Sequence, residues 1–232
     1  MKNPPTLAHD FALAAPYGAG SLLSEAALEP ITRVTQHFPP LNAGFECRMG
    51  NGPAPVDISL YCTRETVRES HIASLARHVS PRQEDTAGME QLCHFLRDWH
   101  NPHSRLFNDL GPFWLEFDLD VHSSHIPVPR VFAPLHRLDV DANTAFQDSV
   151  EQSLEKMFRI LDHLFVGAVD DALQSSLKSF STTLPKGASL FSVGTAIVQR
   201  PRKFRMTIIG VSVDDLPDWL AGLPGWNFQR AA

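Results

Sequence analysis

Three stretches of the chain alternate apolar and polar residues at the period of a β-strand and fold back on themselves through turn residues. Phe45-Glu46-Cys47-Arg48-Met49 and Val56-Asp57-Ile58-Ser59-Leu60-Tyr61-Cys62 flank Gly50-Asn51-Gly52-Pro53, which predicts a β-hairpin. Phe113-Trp114-Leu115-Glu116-Phe117-Asp118-Leu119 alternates strictly and predicts a strand. Its expected partner lies within residues 127–136, where Pro129 and Pro134 suit an edge strand or a partial one. Ser189–Val198 and Phe204–Val213 give a third hairpin. Helical spacing fills the intervals. Ala27, Leu28, Ile31, Val34 and Phe38 give the stripe of a helix expected at about residues 24–37, with Ser24 as its cap and Pro39-Pro40 as its stop. Further helices are expected near residues 65–78, 84–99, 143–161, 164–180 and 216–223.

Helices and hairpins in this order predict an α+β fold: three β-hairpins joined into one antiparallel sheet, with helices packed on one face. The alternative is a sheet curved towards a partial barrel. In element order alone, this arrangement resembles the αββα prenyltransferases, whose barrels hold more strands than are counted here. No composition break divides the chain, so residues 1–232 read as a single domain. Residues 1–20, rich in Pro, Ala and Gly, read as an extended N-terminal segment on its surface.

Composition narrows the function classes. The 232 residues include 20 basic and 26 acidic side chains, a formal charge of −6. Clustered positive charge drives nucleic-acid binding, so no nucleic-acid partner is expected. No uninterrupted apolar run of membrane length is present, and no membrane partner is expected. The N-terminus lacks an apolar signal-type stretch, and the three widely spaced cysteines Cys47, Cys62 and Cys93 read as reduced thiols. Both features fit a cytoplasmic protein.

The polar sides of the strands carry the candidate chemistry. A sheet face bearing Glu46, Arg48, Asp57, Ser59, Tyr61, Trp114, Glu116, Asp118, Arg205 and Thr207 combines carboxylates, guanidinium groups and aromatics. Alternation by itself demands a polar face, so a solvated surface or a homodimer interface is the plain reading. Large aromatics on that face favour a ligand. The ligand contacts expected are Arg48, Tyr61, Trp114, Glu116 and Arg205. Glu46, Asp57, Glu116 and Asp118 are the candidate acids and bases should the face be catalytic.

Other groupings carry weaker signals. Glu116, Asp118, Asp120, His122, His125 and His136 lie close in sequence, but no complete metal-binding spacing is present. His94, His100 and His103 cluster where a helix ends, a favourable place for imidazole beside the helix dipole. Asp214-Asp215-Leu216-Pro217-Asp218 matches the DDxxD string of isoprenyl synthases, yet Pro217 places it at a helix start, where carboxylates act as caps. Arg200, Arg202, Lys203 and Arg205 form a basic run at a hairpin tip, which suits a solvated turn. No nucleotide-binding loop and no nucleophile elbow occurs.

Two functional classes follow. The first is a binding or accessory protein, without a cofactor, that holds a small molecule or peptide on the polar face or forms a homodimer through it. The second is a motif-less tailoring enzyme of bacterial biosynthesis that uses the same face. Protein purified without added metal is expected to carry no stoichiometric zinc, iron or manganese. Elemental analysis finding about one metal per chain, lost in His122→Ala or His125→Ala, would overturn that expectation.

Overall fold

The computed structural model describes residues 5–18, 23, 25–47, 56–135, 150–164, 169–197 and 204–223; the side chains of residues 17, 18, 46 and 47 lie outside that description. Its strands are β1 (Ala43–Cys47), β2 (Val56–Cys62), β3 (Phe113–Leu119), β4 (Arg130–Pro134), β5 (Ser189–Ala196) and β6 (Phe204–Ile209). They form one open sheet in the order β1-β2-β3-β4-β5-β6. The barrel alternative is therefore not realised among the described strands, and the fold is α+β. The helices are α1 (Leu7–Gly18), α2 (Glu25–Thr35), α3 (Glu69–Ala76), α4 (Gln83–His100), α5 (Arg105–Asp109), α6 (Val150–Leu164), α7 (Asp171–Ser181) and α8 (Leu216–Gly222). None of those described is long and apolar enough to cross a membrane.

The chain divides into two compact units, Met1–Ala133 with Gly194–Phe204, and Pro134–Val193 with Arg205–Ala232. In the first, period-two alternation sorts the sheet's side chains as expected. Val56, Ile58, Leu60 and Cys62 on β2 and Phe113, Leu115, Phe117 and Leu119 on β3 are all buried. They stand opposite one another in the antiparallel ladder, Ile58 against Phe117 and Leu60 against Leu115. Helices cover this apolar face. Phe38, just beyond α2, meets Phe117 edge-on at 6.2 Å, and Phe95 and Trp99 of α4 meet Phe113 at 5.4 and 4.7 Å.

The crossover from β2 to β3 is tied down by one guanidinium. Arg64 donates from Nε to the Trp99 carbonyl at 3.1 Å and from Nη2 to the Leu110 carbonyl at 2.7 Å and to that of Phe107. It lies 3.9 Å from the centre of the Phe107 ring. The planar fork thus satisfies carbonyls at the ends of α4 and α5 that have no helical partner.

In the second unit, α6 buries a full stripe: Leu154, Met157, Phe158, Ile160, Leu161 and Leu164. Lys156 donates to the Leu135 carbonyl at 2.8 Å, and Leu135 N donates to the Phe191 carbonyl at 2.8 Å. Gly210 has φ of +78°, and a Cβ there would stand 2.4 Å from the Gly187 carbonyl oxygen, so only glycine fits.

Several expectations need correction. The N-terminal segment is not extended throughout: residues 7–18 form α1, and Phe11 packs beside Phe45 at 5.6 Å. The expected helix at residues 65–78 starts later, at Glu69, because residues 64–66 form a turn closed by Thr66 Oγ1 accepting from Thr63 N at 3.0 Å. α5 was not foreseen. β4 is shorter than the expected stretch, and His136 lies outside the described residues, as do Ser24, residues 143–149 and Gly167. Cys62 and Cys93 are free thiols, and Cys47 stands opposite Val56, at the far end of β2 from Cys62.

One contact makes stability depend on pH. His37, after α2, faces His78, after α3, with ring centres 4.7 Å apart, and its Nδ1 lies 3.1 Å from Ser74 Oγ. Burial, with the nearby His78 and Arg77, lowers the His37 pKa to about 4. The unfolded chain keeps a value of roughly 6.5, so between these limits the unfolded state binds the extra proton. Stability is therefore expected to fall as pH drops from about 6.5 towards 4. Urea midpoints should show a shallower loss for His37→Gln over the same range; equal losses would show that His37 is not the responsible group.

Candidate functional site

The pairing register sets the residues on the polar face of β1–β4 in three rows. Tyr61, Trp114 and Phe132 form one row. Gly44, Ser59, Glu116 and Arg130 form the next, and Glu46, Asp57 and Asp118 the third. Successive rows are two residues apart along each strand, about 7 Å. An aromatic row and a carboxylate row thus flank a mixed one.

The aromatic row is half-buried. Tyr61 and Trp114 have ring centres 5.4 Å apart and tilted planes. Phe132 extends the row on β4. Gly194 on β5 makes room for it, since a Cβ at that position would lie 2.1 Å from the Phe132 ring. A shallow groove of about 390 Å³ opens over Tyr61 and Trp114, bordered by Asn42, Ala43, Gly44 and Ser59.

The charged rows are organised by Arg130. Its Nη1 donates to Glu116 Oε1 at 3.1 Å and to Asp118 Oδ1 at 2.8 Å, and its Nη2 pairs with Asp118 Oδ2. Glu116 is only 5% exposed, and the Arg130 guanidinium offsets part of the cost of burying its carboxylate. Asp57, directly opposite Asp118, is also buried.

A cavity of about 340 Å³ adjoins this network, lined by Arg82, Asp85, Glu116, Asp118, Asp120 and Arg130. The β3–β4 loop closes one side with Ser123, His125 and Ile126. That loop is anchored twice: Arg33 donates to the Ser123 carbonyl at 2.8 Å, and Ile126 N donates to the His78 carbonyl at 3.0 Å.

Of the sequence-derived ligand contacts, Tyr61, Trp114 and Glu116 share this face within one unit. Arg205 lies exposed on β6 in the other unit, and Arg48 is outside the described residues. Of the candidate acids and bases, Asp57, Glu116 and Asp118 occupy neighbouring rows, and the backbone of Glu46 stands opposite Asp57. Arg130 and Phe132 were missed. Their signal was available in Arg130-Val131-Phe132-Ala133, where Val131 and Ala133 are the buried alternates, but the flanking prolines hid where the strand begins.

Some of the remaining groupings find local structural partners. Among the described residues, no three His, Cys, Asp or Glu side chains converge as a metal site. The His100 ring nitrogen Nε2 bonds the Val67 carbonyl at 2.7 Å, and His94 lies 3.2 Å from Arg97 Nη1. Asp215 occupies the cap position of α8, but its carboxylate accepts from Ser212 Oγ at 2.8 Å and leaves the helix amides uncapped, contrary to expectation. Arg200, Arg202 and Lys203 lie outside the described residues. Burial pushes the Cys62 and Cys93 thiols up, away from the thiolate form a nucleophile needs.

Comparison with family models, with curated proteins and with solved structures finds no match to this chain.

Arg130→Met should destabilise the protein by about 1–3 kcal/mol, because it takes the guanidinium away from the buried Glu116 and from Asp118. Adding Glu116→Gln should recover part of the loss. Urea titration of the two single variants and the double variant measures this; a neutral Arg130→Met would remove Arg130 as the organiser of the face.

Proposed function

We propose that this protein binds a small molecule or short peptide on the polar face of its sheet. The observation that supports this most is the pairing of the half-buried Tyr61–Trp114 stack with the Glu116–Arg130–Asp118 network in adjacent rows of one face. Aromatic rings supply contact area with little side-chain entropy to lose, and oriented polar groups fix a ligand's direction. The open groove above the aromatic row gives that area somewhere to act.

Catalysis on the same face would require a carboxylate at liberty to move a proton. Both Glu116 and Asp118 are engaged by Arg130, and this favours recognition over acid–base chemistry.

The test begins with native mass spectrometry of the purified protein, to capture a co-purifying ligand, followed by calorimetric titration. Trp114→Ala should weaken binding by about 1–3 kcal/mol while the melting temperature stays near that of the parent, since the ring is not part of the helix-covered core. Tyr61→Ala should act in the same direction. Two well-folded variants with unchanged affinity for the captured ligand would refute the sheet-face site.

A further inference from the structure

We infer that the charged cavity beside the network binds a free α-amino acid by both of its charges, the carboxylate at Arg82 and the ammonium at Asp85 and Asp120. This goes beyond the aromatic-row reading: the cavity borders the same sheet face, but neither Tyr61 nor Trp114 lines it. Arg130 is already divided between Glu116 and Asp118, so those three groups serve one another. The other charges lining the cavity do not. Among the described residues, neither the Arg82 guanidinium nor the Asp85 carboxylate takes part in a hydrogen bond or ion pair, and Asp120 accepts only the His122 amide at 2.9 Å.

Arg82 is the N-cap of α4, in extended backbone and exposed, and Asp85 lies three residues on in the first turn, half-buried. Here both line the cavity and remain unpaired. A ligand that satisfies both must carry an anion and a cation a few ångström apart. An α-amino acid does so on one carbon. In a longer peptide the terminal charges separate by roughly 3.3 Å more with each added residue. Charge balance agrees: Arg82 and Arg130 against Asp85, Glu116, Asp118 and Asp120 leave the lining at −2, unfavourable for a simple anion, while Arg82 is unfavourable for a simple cation. At about 340 Å³ the cavity lies at the small end of ligand pockets, which run from roughly 300 to 1,000 Å³.

The experiment screens the standard L-amino acids at millimolar concentration against the full chain by thermal shift. The strongest binder is then titrated by calorimetry in three forms: free, N-acetylated and as the carboxamide. At least one free amino acid should bind, and each capped form should bind about tenfold or more weakly, the scale of one charge-assisted hydrogen bond. Asp85→Asn should weaken the free form by a similar factor without changing the melting temperature. Arg82→Gln should abolish the preference for the acid over the carboxamide. Absence of binding by every free amino acid, capped forms that bind equally well, or variants indistinguishable from the parent would each overturn the inference. A free amino acid whose affinity depends on Trp114 but not on Arg82 or Asp85 would overturn it while leaving the aromatic-row site intact; an amino acid lost in the Arg82 and Asp85 variants and unchanged in Trp114→Ala would support it, and the aromatic-row site stands or falls by its own ligand.

Discussion

The antiparallel ladder between β2 and β3 is the constraint on which the first unit depends. Seven consecutive pairs, from Val56 opposite Leu119 to Cys62 opposite Phe113, set which side chains share a face. A slip of one residue in β3 would turn Glu116 and Asp118 towards the helices and expose Phe117, and the same slip in β2 would do so to Asp57 and Ile58. The penalty of burying carboxylates in an apolar layer holds the register from one side, and the loss of apolar burial holds it from the other. The rows of the candidate site follow from that register.

The same logic explains why the strands could be read in advance and other parts could not. Alternation at Val56–Cys62 and Phe113–Leu119 is complete, and both strands emerge at those residues. At Arg130–Pro134 only Val131 and Ala133 mark the buried face, and five residues bounded by prolines carry too little period to define a strand. The N-terminal helix α1 contains Pro16 and alanines on several sides, so composition suggested an extended segment. Its burial rests on Leu7 and Phe11, two residues one turn apart. That spacing is a faint helical signal, visible only once a surface exists to receive it.

The candidate site was half legible for a related reason. Sequence alternation assigns residues to faces but does not say which strands become neighbours. Tyr61 and Trp114 could be placed on one face, and β2–β3 pairing made them adjacent. Arg130 reaches Glu116 because β4 pairs with β3 in one particular register, a fact held by Leu115 opposite Val131 and not by any motif. An arginine opposite a buried glutamate and diagonal to an aspartate is a tertiary coincidence of strand order, which no local pattern announces.

Gly194 and Phe132 show how tightly this face is fitted. The ring occupies the volume where a side chain at position 194 would begin. The two positions are therefore a single unit of variation. Among divergent copies of this chain, any residue with a Cβ at 194 should travel with a smaller one at 132, while a change at either position alone is removed by steric conflict or by the void it leaves. Such a linked pair, found on the polar face and not in the helix-covered core, would record that the shape of this face has been kept under selection.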